Sequence, residues 1–491
     1  MGDGMKVEIL NWGPIGKCEL NLDKNLLVIY GDNNIGKSYA MQVLYLVLKR
    51  ILAMWDVPAY MWYFRKVEPS SEIMDWIRDF SDKKELKERN VTKDLIQLYE
   101  KQLNEEMLPG ILKSFYNTFG TYDDILNEKP SITLRGEDGF LFQILPAEER
   151  ICLELPVKSV FLKKTTSSFH KSREFKSRLD IYVYSDSEIQ SPTQLLTQQL
   201  WKMNNVFQHE TIDIIRDVYF LPASRSGIYT GMNAFGPIMA QLSQNRYAIR
   251  GSISIPSIPE TITDYYVDLS SIRSETRGRF ADTARKIEEE ILDGRVEFDS
   301  KKKTLIYTGS EENSSMEMSD VSSMVSELSP ITAYLKYIVE DTSERRRIQK
   351  GHVNSQSVLF IEEPEAHLHP QNQVKLIKIF AELAKQNVKI VLASHSNYIF
   401  NELNNLVLGG NLDSTVYAPI LMKRNGNKSF TMPMPMDEFG VDDENFADVA
   451  NTLIEEREQL IQGIMDTLQK GKNDTEDKAD ESIKAVSTPE N

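Results

Sequence analysis

Three short clusters in this chain combine residue types that can do chemistry together. The first is Gly31-Asp32-Asn33-Asn34-Ile35-Gly36-Lys37-Ser38, followed by Tyr39. The second is Glu362-Glu363-Pro364-Glu365, and the third is Ser394-His395-Ser396. Glycines at both ends of a six-residue turn let successive backbone N–H groups converge on an anion. A lysine next to them neutralises phosphate charge, and the hydroxyl after it can reach a magnesium ion. An acidic pair elsewhere supplies one carboxylate for that metal and a second to polarise water, a general-base role that contributes about 10²- to 10⁴-fold in rate.

The elements around the clusters set their positions. Asn25 to Tyr30 is almost continuously apolar, as a strand buried on both faces is. Tyr39 to Ile51 carries Met41, Leu44, Tyr45 and Leu48 at helical spacing. Strand, glycine loop and helix together form the setting in which such a loop binds phosphate, with the positive end of the helix adding to the attraction. Ser357 to Ile361 and Lys389 to Ala393 read as two more core strands, each ending at one of the other clusters. Carboxylates at the carboxyl ends of core strands are where an α/β nucleotide site assembles. Glu365 reads either as part of that group or as a solvated charge. His367 and His369, with proline following and no cysteine nearby, read as structural rather than metal-binding.

The 491 residues allow two or three domains, and the composition is that of a globular protein. A net charge of -16 argues against nucleic acid coating the whole surface, so any such contact must be local. Two cysteines, Cys18 and Cys152, give no disulfide framework and fit a cytoplasmic setting. No signal peptide is visible, and the longest apolar run, Ala40 to Leu48, is too short to span a bilayer.

GDNNIGKS, LFIEEPEAHLHP and LASHSNYI resemble the Walker A, Walker B and histidine-switch motifs of ABC-type ATPases. The branch they are most similar to holds the RecF, SMC-like and OLD-like proteins. The resemblance covers residues 5 to 50 and 319 to 405. It implies an α/β fold: an ABC-type P-loop core of mixed and parallel sheet with flanking helices, an antiparallel β-subdomain and a helical insertion. It implies ATP and Mg²⁺ as cofactors, with Gly31, Asp32, Asn33, Asn34, Ile35, Gly36, Lys37, Ser38 and Tyr39 around the nucleotide. Ser38 and Glu362 would hold the metal, and Glu363 and His395 would be catalytic. It further implies ATP sandwiched between two copies, in a dimer or larger ring. Asp320 to Pro330 then supplies the signature segment, with Ser322 and Ser323 reaching the partner's nucleotide, although it departs from the LSGGQ pattern. Ala366 to His369 would be the D-loop. Val218 to Gly227 occupies the place of a strand leading into a Q-loop, with Ser224 and Arg225 where a glutamine is usual. Nucleotide sensing, DNA contact, loop pinning and a surface salt bridge are all open for Arg225.

The expected organisation is residues 1–72 and 311–468 as the two parts of the ATPase core. Between them lie a helical and β-strand insertion at 73–210 and a core strand plus helical arm at 211–310; a disordered tail follows at 469–491. Asp75 to Phe119, Ser191 to Asn205, Arg277 to Leu292 and Asp443 to Leu468 read as helical, and a short helical arm falls between about 230 and 293. Ile132–Leu134, Phe140–Ile144, Ile151–Leu155 and Leu179–Tyr184 read as strands of the antiparallel subdomain. Hairpins are expected around Lys301-Lys302-Lys303 and around Asn425-Gly426. Two basic islands, Phe161 to Arg178 and Ser343 to Lys350, are candidates for DNA or RNA contact.

No nuclease motif follows His395, so the chain is not expected to cut nucleic acid itself. The resemblance then points to an ATPase acting as the sensor or regulatory subunit of a prokaryotic antiviral system such as PARIS or Septu, controlling a separate effector nuclease. The alternatives are a RecF-like repair or recombination ATPase and an ATP-gated scaffold. No membrane partner is expected.

Overall fold

The computed structural model describes residues 5–53, 71–83, 86–166, 171–184, 190–211, 215–233, 258–273, 277–310, 315–340, 356–437, 439–442 and 452–466. The strands of its main sheet are β1 (Lys6–Trp12), β2 (Ile15–Asn21), β3 (Leu26–Tyr30), β5 (Ser131–Arg135), β6 (Leu141–Leu145), β7 (Arg150–Glu154), β11 (Ile215–Leu221), β15 (Gln356–Glu362), β16 (Lys389–Ala393), β17 (Tyr417–Asn425) and β18 (Lys428–Pro433). Their order is β11-β15-β16-β3-β17-β18-β2-β1-β5-β6-β7. From β11 to β17 all neighbours run parallel; from β2 to β7 they are antiparallel.

The burial of each strand follows from that division. Leu26-Leu27-Val28-Ile29-Tyr30 is buried at every position, as is Lys389–Ala393, because parallel strands are covered on both faces by their crossover helices. β1 and β2 alternate, with Val7, Ile9, Trp12, Ile15, Cys18 and Leu20 inward. The helix Lys37–Ala53 lies across the parallel half, and Tyr45 packs against Phe220 of β11 and Phe360 of β15. The edge strand β11 is flanked by the helix Glu260–Ser270, which limits open-edge pairing. Glu260 and Asp264 of that helix form ion pairs with Lys49 and Arg50. This described part of the 230–293 region therefore packs on the core; 234–257 lie outside the described residues.

Three of the four strands expected in the antiparallel subdomain extend the main sheet outward from β1. The fourth, β10 (Arg178–Tyr184), belongs to a separate sheet with β4 (Glu88–Asn90), β8 (Ser159–Thr165) and β9 (Arg173–Glu174). It pairs parallel with β8. The hairpin around Lys301–Lys303 is β12 (Gly294–Asp299) with β13 (Thr304–Gly309), joined by a third strand, β14 (Ser315–Glu317). The β17–β18 turn is Gly426-Asn427, since Asn425 and Lys428 still pair. Asp75 to Phe119 holds three helices, Ser71–Asp82, Thr92–Glu106 and Leu108–Thr118, and Gln190–Thr211 is a fourth. Val441–Asn491 forms a unit of its own, helical over 452–466. The expected tail lies outside the described residues. Among them no helix is long and apolar enough to cross a membrane.

Candidate functional site

The sheet order brings the three clusters to one edge. β16 lies between β3 and β15, so Gly31, His395 and Glu363 leave neighbouring parallel strands at their carboxyl ends. Gly31 has φ +136, and a Cβ there would stand 2.3 Å from the Met422 carbonyl oxygen of β17. Gly36 has φ +102, and a Cβ there would stand 2.9 Å from Ile15 Cγ1. Neither site tolerates a side chain, which explains both glycines without invoking a ligand. The helix then begins at Lys37. Ile35 is buried beneath the loop, and Tyr39 packs on Phe119 with ring centroids 5.1 Å apart. Asp32, Asn33, Asn34 and Ser38 are exposed on it.

Lys37 curls over the loop. Its Nζ donates to the carbonyls of Gly31 at 2.9 Å and Asp32 at 2.6 Å, and lies 3.5 Å from His395 Nδ1. Burial pulls its pKa down to about 8, against the opposing attraction of Glu363, Asp32 and Glu365. An anion held here would restore the charged form, so at pH above about 8 nucleotide binding is expected to take up a proton and to weaken as pH rises. Calorimetry in two buffers of different ionisation enthalpy reads that uptake; equal heats at pH 8.5 would contradict it.

Glu362 ends β15. Its Oε2 accepts from the Ala223 N–H at 3.0 Å, while its buried Oε1 has no hydrogen-bond partner among the described residues. Burial raises its pKa, with Ser38 acting beside it in the opposite sense. An orphaned buried carboxylate oxygen next to a serine hydroxyl fits the donor set of a hard cation. Glu363 follows at φ +41. Its N–H donates to Ala393 at 2.9 Å. The pKa of His395 is lowered, first by burial and then by Lys37, so the ring is neutral near pH 7.

Glu365 is not solvated. Its Oε1 accepts from Ser394 Oγ at 2.9 Å and from the His395 N–H at 2.6 Å, and its Oε2 is buried. Sequence could not separate these readings, because an acid three residues past a strand most often faces water. His369 caps the helix Pro370–Ala384, its Nδ1 accepting from the Gln371 N–H, while His367 is exposed.

Ser322 and Ser323 stand elsewhere on the chain, at the start of the helix Ser323–Ala333, and both are exposed. Ser322 Oγ accepts from the Val325 N–H at 3.4 Å. Arg225 is 0% exposed; its burial excludes both the surface salt bridge and DNA contact in this conformation. Its Nη1 donates to the carbonyls of Pro222 at 3.1 Å and Glu362 at 2.6 Å, and its Nη2 to that of Glu363 at 3.1 Å. Glu327 of the Ser323 helix accepts from the Arg225 N–H at 3.1 Å and from Ser226 Oγ at 2.6 Å. Glu327 was not foreseen, and neither was Arg424, whose guanidinium donates to the Asn34 carbonyl at 2.6 Å.

Within the first basic island, Lys163 and Arg178 pair with Asp180, and Lys158 with Glu174. Lys171, Arg173, Phe175 and Lys176 are exposed. Phe169 and the second island, Ser343–Lys350, lie outside the described residues.

A loop of two glycines and a lysine, an acidic pair and a histidine thus stand at the ends of adjacent parallel strands of one α/β sheet, beside its antiparallel extension. The chain belongs to the family described as AAA ATPase domain, which matches residues 5–400. Solved structures that resemble it include an SMC head domain from Thermotoga maritima, 8% identical, covering 88% of this chain and 98% of that one at a TM-score of 0.31. Another is an Smc head domain with an extended coiled coil, bound to the C-terminal domain of ScpA, derived from Pyrococcus furiosus. It is 9% identical and covers 93% of this chain and 100% of that one at a TM-score of 0.32. At those scores they add nothing to the family assignment. No curated protein matches the chain.

Proposed function

We propose that the chain binds Mg²⁺-ATP at this site and hydrolyses it in a sandwich of two copies. The observation that carries the reading is the convergence of Lys37, Ser38, Glu362, Glu363 and His395 from segments more than 300 residues apart. The backbone from Gly31 to Lys37 cradles the phosphates, and Lys37 exchanges its two loop carbonyls for phosphate oxygens. Ser38 and Glu362 hold the metal, which supplies charge neutralisation when bound. Glu363, fixed by its neighbours at an unusual backbone angle, takes the proton of the attacking water. The neutral His395 ring sits beside Lys37 to donate or accept at the terminal phosphate. Phosphate release measured against protein concentration tests the sandwich: turnover per chain rises with concentration if two copies are needed and stays flat if one suffices.

The exposed Ser322 and Ser323 complete the partner's site in this reading, as hydroxyls and N–H groups at a helix start can. Ser322→Ala and Ser323→Ala lower kcat and leave ATP affinity of the single chain largely intact. Wild-type turnover in both would remove the segment from the mechanism.

The wider role we propose is that of a sensor or regulatory ATPase of a prokaryotic antiviral system, governing a separate effector nuclease. It is supported by the motif wording of an OLD-like ATPase. The exposed cations and Phe175 near β9 offer a local surface for DNA or RNA. Affinity purification from the native host tests the role: a co-eluting nuclease supports it, whereas DNA-stimulated turnover with no such partner supports a RecF-like repair ATPase.

A further inference from the structure

The peptide that carries Glu363 is held from two sides. Its N–H is fixed by the Ala393 carbonyl and its own carbonyl by Arg225 Nη2. A non-glycine residue at φ +41 persists only where its surroundings over-determine it. The guanidinium that does so is spread over four carbonyls in three segments: Pro222, Glu362, Glu363 and, through Nε at 3.2 Å, Glu327. Its rigid planar fork makes these distances interdependent. The Glu327 carboxylate closes the other end. It accepts from the buried N–H of Arg225 and from the partly buried N–H and Oγ of Ser226. Glu327 lies about one helical turn after Ser322 and Ser323, the exposed cap of the same helix. Tyr265 fixes the arrangement from behind by donating to the Arg225 carbonyl at 3.1 Å.

We propose that Arg225 is a positioning residue that, with Glu327, transmits the seating of the Ser323 helix to the backbone of Glu363. The carboxylate that activates water in one chain is then aligned only when the exposed end of that chain's own helix is engaged. The proposal rests on the ATPase reading above and adds to it a regulatory connection between binding at the helix cap and hydrolysis in the same chain. A shift of about 1 Å in a catalytic group costs on the order of 10²-fold in rate, so a small helix movement is enough to gate turnover.

Arg225→Lys keeps the charge but offers one nitrogen in place of a fork that spans four carbonyls. Glu327→Gln sets an amide N–H against donors. Both are expected to lower kcat about tenfold or more while a fluorescent ATP analogue binds within about threefold of wild type. A purely structural role would also slow turnover, so the deciding measurement is a double-mutant cycle with Ser323→Ala. If the residues lie along one line of transmission, the Ser323→Ala/Glu327→Gln double variant loses no more than the worse single variant. Losses that multiply would overturn the proposal. Where Glu327→Gln lowers the melting temperature markedly, Ser226→Ala, which deletes one contact to Glu327, takes its place in the cycle with the same two outcomes. Wild-type protein that neither binds nor hydrolyses ATP defeats the reading of the site itself. Active wild type alongside Glu327→Gln with unchanged kcat defeats the connection alone.

Discussion

Lys37→Ala is expected to abolish useful nucleotide binding. The lysine is the only cation between Gly31 and Ser38, and it is 5% exposed, so its charge acts through protein rather than bulk solvent. Removing one partner of a desolvated, hydrogen-bonded charge pair costs about 2–5 kcal/mol, or roughly 30- to several-thousand-fold in affinity. The two carbonyls it now covers, those of Gly31 and Asp32, would also face incoming phosphate directly. Equilibrium binding of a fluorescent ATP analogue measures the loss. Retention of wild-type affinity would mean that the loop does not hold the triphosphate.

Glu363→Gln is expected to separate binding from hydrolysis. The amide keeps the side chain's size and leaves both backbone bonds, to Ala393 and Arg225, in place. It cannot take up a proton. Turnover should fall about 10²- to 10⁴-fold, the usual contribution of a general base. ATP affinity should be unchanged or higher, because removing a carboxylate relieves repulsion of the phosphates. With hydrolysis blocked, the two-copy state should accumulate on ATP addition, read by light scattering. Turnover near wild type would transfer the base role to another group.

The motifs were legible because phosphate, metal and water chemistry fixes residue types at fixed offsets. The strands beneath them were legible because burial on both faces demands continuous apolar runs such as Leu26–Tyr30. Alternation along a strand shows which face is buried and not which strand lies next to it. So 131–154 could be read as strands, while their continuation of the main sheet through β1, and the parallel partner of 178–184, could not. Arg225 was open for the same kind of reason. Its meaning lies in Glu327 and in two main-chain carbonyls more than 100 residues away, and no local pattern records such partners. Glu365 and Arg424 likewise act on backbone atoms, His395 N–H and Asn34 C=O, which any residue type would supply.

Both neighbours of β3 in the sheet, β16 and β17, come from far along the chain after it. At ribosomal speeds of about 5–20 residues per second, the roughly 360 residues between Tyr30 and Lys389 take on the order of 20–70 s to emerge. For that interval the glycine loop is attached to a strand whose apolar faces and hydrogen-bonding edges lack their final cover. The glycine loop therefore cannot take its place in the sheet until β16 and β17 have emerged, and the waiting segment is a natural client for holding chaperones in the meantime.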